Sequence, residues 1–318
     1  MPAEKVIAID LGGTQLRAAL IENGKILKRA ALKTDAVGGP KAVMIQIKDV
    51  VSSICDSKSW GEVRAIGISA PGPLDSDTGQ ILSMPTLPNW EDYYLRDAVA
   101  SLFNKPAILE NDAIAAAYGE WKYGAGIGLQ HLVYVTVSTG IGGGVVVDGQ
   151  LLHGRRGMAS HVGHFRMDPN GPVCPCGMTG CFEAIAAGTA MNRYAMLSAN
   201  ANPLGYLGQR LLRGSVSAID IVEGARQKDK DCLALIAQEA EDLGAGFTSL
   251  IHLYSPEKLI MGGGMANAFD LLSQGIHSVI AREAMSPFKN VPVVTAALGD
   301  NAGLIGAAAL AIVKSNQG

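Results

Sequence analysis

The chain opens on an apolar run that ends in a carboxylate and two glycines and then resumes: Val6–Leu11 and Leu16–Ile21 flank Gly12-Gly13-Thr14-Gln15. Short apolar, β-branched runs on either side of a glycine turn predict a β-hairpin. The same pattern returns in His131–Leu152, where Leu132–Val137 and Val145–Val147 flank Ser138-Thr139-Gly140-Ile141-Gly142-Gly143-Gly144. A chain that opens both halves in this way is expected to be built from two similar α/β halves.

The rest of the pattern alternates. Lys25–Leu32 extends the first hairpin to three strands, and Gly39–Asp56 has helical periodicity. Arg64–Gly72 reads as a buried strand ending in a Pro/Gly turn, Glu91–Phe103 as an amphipathic helix and Pro106–Asp112 as another buried strand. A Gly/Pro/Cys-rich stretch, Gly154–Gly180, offers little core. Helical residues follow at Phe182–Leu197 and Ala218–Tyr254, then strands at Lys258–Gly264 and Val291–Leu298, and an alanine-rich helix at Asn301–Lys314. At 318 residues two domains with a cleft between them are expected. With 48% hydrophobic and 17% charged residues the composition is that of a compact enzyme, and a net charge of -3 without a run of Lys or Arg gives no footprint for nucleic acid or a membrane surface. A small-molecule partner and a cytoplasmic location are the expectation, since no apolar stretch is long enough for a span or a leader.

Three glycine turns carry the first chemical signal. In Asp10-Leu11-Gly12-Gly13-Thr14 the glycines let backbone N–H groups approach phosphate oxygens, Thr14 adds a hydroxyl, and Asp10 is suited to hold a hydrated Mg²⁺. Thr139, Gly140 and Gly142 repeat the arrangement, and Gly262-Gly263-Gly264 ends a strand where a base or ribose is often approached. Each alone is also a plain tight turn. Neither GxxxxGK[ST] nor GxGxxG after the first strand is present.

Together with ENDAIAAAYGE, CPCGMTGC and NAGLIGAAAL, these elements cover nearly the whole chain, which resembles the ROK family of bacterial sugar kinases within the two-domain actin-like (ribonuclease H-like) ATPase fold. The resemblance implies an interdomain cleft, a zinc-bound segment, a last helix folded back on the N-terminal domain, and domains of 1–112 plus 302–318 and 113–301. It implies a homodimer and transfer of the γ-phosphate of ATP to the C6 hydroxyl of an aldohexose, glucose first and N-acetylmannosamine as the alternative. The family also includes sugar-responsive repressors, whose winged helix precedes the first glycine loop; here that loop begins at Asp10, so this reading ranks last.

Asp112 closes a strand in front of a helix, where it would either cap the helix or accept the proton of an attacking hydroxyl. The family match makes Asp112 the base and Asn111 a sugar ligand, with Gly72, His161, His164 and Glu183 also on the sugar. His164, Cys174, Cys176 and Cys181 form H-x9-C-x-C-x4-C, a full tetrahedral set for a structural Zn²⁺, which in turn would orient His164 toward a sugar hydroxyl. Three positions depart from the family pattern. His161 stands where a glutamate is usual, Gln15 where a lysine follows GGT, and Thr86 where asparagine is frequent. Sugar choice therefore stays open between glucose, N-acetylmannosamine and other hexoses, as does polyphosphate as donor. His131, His153, His252 and His277 have no partner at ligand spacing and read as ordinary residues, as do Cys55 and Cys232.

Overall fold

The computed structural model describes residues 4–83 and 87–315, so the expectation at Thr86 lies outside the described residues. The first half runs β1 (Lys5–Leu11), β2 (Gln15–Glu22), β3 (Lys25–Lys33), α1 (Gly39–Ile54), α2 (Ser57–Glu62), β4 (Val63–Ala70), β5 (Leu74–Asp75), β6 (Gln80–Ile81), α3 (Leu95–Phe103), β7 (Ala107–Asn111) and α4 (Asp112–Tyr123). The second runs β8 (Leu132–Val137), β9 (Ile141–Val147), β10 (Gln150–Leu151), α5 (Phe182–Ala186), α6 (Gly188–Ala201), α7 (Tyr206–Leu211), α8 (Ala218–Arg226), α9 (Lys230–Tyr254), β11 (Lys258–Gly262), α10 (Phe269–Glu283), β12 (Val293–Thr295) and α11 (Ala302–Ser315). The two main sheets have the orders β3-β2-β1-β4-β7 and β10-β9-β8-β11-β12. Each is a third-second-first-fourth-fifth arrangement, so the repeated hairpin of the sequence has become a repeated topology.

The chain divides into two compact units, Met1–Leu129 with Gly144–Ser160 and Ala297–Gly318, and Gln130–Gly143 with His161–Ala296. These cuts fall at other places than the expected domain boundaries. Asn111 both ends β7 and caps α4, and α4 packs on α11 within the first unit.

In the first unit the strand period of two sorts the core. Ile7, Ile9 and Leu11 face Val43, Ile47 and Val51 of α1, whereas Val6 and Ala8 face Leu304, Ile305 and Ala308 of α11. α11 lies close to its neighbours because glycines make room. A Cβ on Gly306 would stand 1.7 Å from the Ala115 carbonyl oxygen, and one on Gly67 2.1 Å from that of Ala307. The last helix thus packs on the N-terminal sheet, as the family resemblance implied.

In the second unit α9 and α10 pack together, and Phe182 of α5 meets Phe247 of α9 edge-on with ring centroids 6.1 Å apart. There are four differences from the sequence expectations, two of them with local causes. α3 starts at Leu95, not Glu91, because Asp92 has φ 56, outside any right-handed helix. The helix expected over Phe182–Leu197 is two, broken at the extended Ala187, where Gly188 N–H donates to Ser138 O at 2.7 Å, and it continues to Ala201. α7 and α10 were not expected, although Leu272, Ile276, Val279 and Ile280 of α10 are buried at helical spacing. β12 is only three residues long.

Candidate active site

Register assembles the first group of residues. In parallel β1, β4 and β7, Asp10 pairs with Ser69 and Ser69 with Glu110, while Ala70 pairs with Asn111. The candidate side chains therefore emerge together at the carboxyl ends of adjacent parallel strands, where open α/β sheets bind their ligands. Ser69 Oγ donates to Asp10 Oδ1 at 2.9 Å, and Arg17 Nε lies 3.2 Å from Asp10 Oδ2. Burial raises the Asp10 carboxyl above its ordinary value, against the lowering effects of Arg17, Ser69 and Arg29. Gly303 faces this carboxylate, and even a Cβ there would stand 3.6 Å from Oδ1.

The first glycine loop is closed by Gly12 N–H to Gln15 O at 2.9 Å and held from outside by Thr34 Oγ1 donating to Gly12 O at 2.7 Å. Thr14 and Gln15 are exposed and Gly12 and Gly13 half-buried. Sequence reasoning passed over Arg17. The antiparallel register of β1 and β2 sets Asp10 opposite Arg17, so a positive charge stands at this end of the sheet although Gln15 replaces the usual lysine.

Asn111 is the N-cap of α4: its Oδ1 accepts from Ala113 N–H at 3.0 Å and Ile114 N–H at 3.3 Å. Capping thus falls to Asn111, and Asp112 is the first helical residue, its Oδ1 accepting from Ala113 N–H at 2.8 Å. Asp112 has an exposed surface, yet protein surrounds it closely enough that desolvation and then the charge of Asp10 raise its carboxyl to about 6. The hydrogen bonds from Ala113 and Asn111 act in the opposite direction. A carboxylate poised near 6 is ionised at neutral pH and still basic enough to take a proton. Gly72 lies close by, its Cβ position 3.3 Å from Asn111 Nδ2.

The second unit holds the remaining candidates. Parallel pairing of β11 with β8 sets Gly262 beside Thr136, which brings the third glycine turn next to the second. Gly263 has φ 83 and its Cβ would stand 2.4 Å from Val137 O; a Cβ on Gly262 would stand 2.3 Å from Tyr134 Oη, whereas Gly264 faces open space beyond Ser138 Oγ at 3.9 Å. Thr139 is exposed, and Gly140 and Gly142 half-buried. Glu183 touches this loop: its Oε2 accepts Ile141 N–H at 2.9 Å, and a Cβ on Gly140 would stand 2.4 Å from that carboxylate, so a side chain there would have to displace it. Nothing in the spacing of these residues announced that contact.

His164, Cys174, Cys176 and Cys181 converge, with one ligand atom from each lying within 4.8 Å of all the others. Cys176 Sγ and Cys181 Sγ are 3.6 Å apart, and Cys174 Sγ is 3.7 Å from His164 Nδ1. A tetrahedral zinc with Zn–S near 2.3 Å has ligand–ligand edges of about 3.8 Å, so the set fits that ion. Burial pushes the Cys174 thiol up to about 12, and a bound cation is what would make it a thiolate. His161 is exposed, with its ring centroid 6.2 Å from that of His164. Desolvation and then His164 hold it below its ordinary value, so it is neutral near pH 7.

The family model that matches this sequence, over residues 6–314, is that of the ROK family. The chain belongs to the ROK family. This ROK chain is 35% identical to the glucokinase of Thermotoga maritima over 323 residues, covering 100% of both. It is 30% identical to the N-acetylmannosamine kinase of Pasteurella multocida, covering 96% of this chain and 95% of that one. Among solved structures it is similar to a ROK family glucokinase from Streptomyces griseus in complex with glucose and AMPPNP, with 34% identity, a TM-score of 0.82, and coverage of 99% and 100%. Among the described residues no helix is long and apolar enough to cross a membrane.

Proposed function

We propose that this protein is an ATP-dependent hexose kinase that transfers the γ-phosphate of ATP to the C6 hydroxyl of an aldohexose, with glucose as the first acceptor. The observation that carries the reading is Asp112, a carboxyl raised to about 6 at the carboxyl end of a parallel sheet, one residue from an asparagine and close to Asp10 in charge. Asp112 accepts the proton of the sugar hydroxyl as its oxygen bonds to the γ-phosphorus, and ADP leaves. Asn111, Gly72, His161, His164 and Glu183 hold the sugar. Gly12, Gly13, Thr14, Thr139, Gly140 and Gly142 receive the phosphates, and Gly262, Gly263 and Gly264 the nucleoside.

Asp10, a carboxylate at the strand end beside the first glycine loop, would hold Mg²⁺ through its water shell, and the ion would neutralise charge on the phosphates. Zn²⁺ would be held by His164, Cys174, Cys176 and Cys181 in a structural role, and His164 Nδ1, which lies 3.7 Å from Cys174 Sγ, would be the ring nitrogen it uses, so that Nε2 would serve the sugar. The functional domains are 1–112 with 302–318 and 113–301, and the enzyme works as a cytoplasmic homodimer without nucleic-acid or membrane partners. ADP release is the test: with Mg²⁺ and Zn²⁺ present, glucose should give sugar-dependent turnover, and none across a broad hexose panel would overturn the proposal.

N-acetylmannosamine is the second acceptor to consider, because neutral His161 offers one acceptor nitrogen where a glutamate would offer two oxygens, and a relative at 30% identity is an N-acetylmannosamine kinase. The kcat/KM ratio for glucose over N-acetylmannosamine should change in H161E. An unchanged ratio would remove His161 from substrate choice.

A further inference from the structure

Glu110 is wholly buried on β7, one residue before Asn111 and two before Asp112. Its two oxygens have separate partners. Oε1 accepts the Asn111 backbone N–H at 3.0 Å, and Oε2 lies 2.8 Å from His153 Nε2. His153, one of the histidines that read as ordinary in the sequence, is 32% exposed and starts the loop that follows β10.

That loop is tightly held. Ala159 N–H donates to His153 O at 3.0 Å, and Arg156, at φ 64, has a backbone conformation unusual for a residue with a side chain. Arg156 Nε donates to the buried Asp75 at 2.5 Å, and its carbonyl accepts Ser76 N–H at 3.1 Å. Gly157, with φ 72, sits where a Cβ would stand 2.0 Å from Ser76 Oγ. A backbone of this kind persists only where its surroundings over-determine it. His153 is therefore presented to Glu110 by a loop pinned to β5. A buried carboxyl with both oxygens engaged is restrained in place, and the N–H it holds belongs to the residue that caps α4.

We propose that His153 is a positioning residue for phosphoryl transfer: through Glu110 it fixes the Asn111 backbone and so the orientation of the Asp112 carboxyl at the start of α4. The proposal rests on the reading of Asp112 as the base. A structural staple would also lower stability when cut, so the test reads catalysis and coupling.

Steady-state and single-turnover kinetics with glucose and ATP–Mg²⁺ compare wild type, H153F, H153Q, D112N and D112N/H153F. H153F should lower kcat by about 10- to 100-fold, the size expected when a reacting group is displaced by about 1 Å, with KM for ATP unchanged. H153Q, whose amide can donate to Glu110, should recover most of kcat. In the D112N background H153F should cost nothing further, because the group it positions is already gone. Wild-type kcat in H153F, the same full loss repeated on top of D112N, or an H153Q as slow as H153F would each overturn the proposal, whatever happens to Tm. Should H153F not fold, H153N, too short to reach Glu110, takes its place with the same expectations. Absence of sugar-dependent turnover in wild type would instead overturn the kinase reading itself.

Discussion

As the proposed base, Asp112 carries opposite demands in catalysis and in stability. Its carboxyl stands at about 6 against an ordinary 3.8, so ionising it in the folded protein is unfavourable relative to the unfolded chain. A raised folded value means extra proton binding by the native state; the protonated form's advantage is present at low pH and is lost as pH rises through about 6. D112N removes that term. The Tm of D112N should therefore exceed that of wild type at pH 8 by more than at pH 5, and equal differences at both would show that Asp112 is not perturbed. Turnover should fall by about 10²- to 10⁴-fold in the same variant, with glucose binding retained. In wild type, kcat/KM for glucose should decline as pH falls below about 6, where the base becomes protonated; a flat profile down to pH 5 would reassign it.

At the scale of elements, what was legible and what was not divide by physical cause. The hairpins, the buried strands and the Cys/His segment were readable because each writes its own local pattern. Arg17 beside Asp10 and His153 beside Glu110 were not, because those pairs arise from register and from a loop returning to the sheet. Asn111 rather than Asp112 caps α4, a distinction of one residue that only the cap geometry resolves. α10 had a readable apolar spacing that the neighbouring glycine turn obscured. Two elements invite direct tests. Gly306→Ala sets a helix-propensity gain of about 1 kcal/mol against a Cβ placed 1.7 Å from Ala115 O; overpacking of this kind costs about 1–3 kcal/mol. Overpacking should win, lowering the urea midpoint, whereas Gly61→Ala, with nothing near its Cβ, should not lower it. In the Cys/His segment, the exposed Cys176 can be changed without disturbing packing. C176S should bind zinc at least about 10-fold more weakly and lose its metal in a dialysis through which wild type keeps it. Full zinc retention in C176S would remove Cys176 from the ligand set.

On the scale of the whole molecule, two sheets of one strand order each carry a glycine turn after the first strand of the hairpin, Gly12 and Gly13 after Asp10 in one, Gly140 and Gly142 after Thr139 in the other. Repetition of a hairpin thus duplicates the turn to which phosphate binding is assigned in the proposed function, while Asn111 and Asp112 and the Cys/His segment differ between the copies. A ligand that engages only the folded chain must stabilise it by mass action, independent of any catalytic step. Glucose at about 100 times its Kd should contribute about 2.7 kcal/mol. For a chain of 318 residues, at about 2 °C per kcal/mol, that raises Tm by about 5 °C. N-acetylmannosamine at the same concentration gives a smaller rise if glucose is the acceptor and a larger one if the neutral His161 has turned the site toward the N-acetyl sugar. If Asp112 serves as the base and the neighbouring residues hold the sugar, as proposed, D112N should show the same glucose shift as wild type. A D112N protein that no longer responds to glucose would place Asp112 in sugar binding first and in proton transfer second.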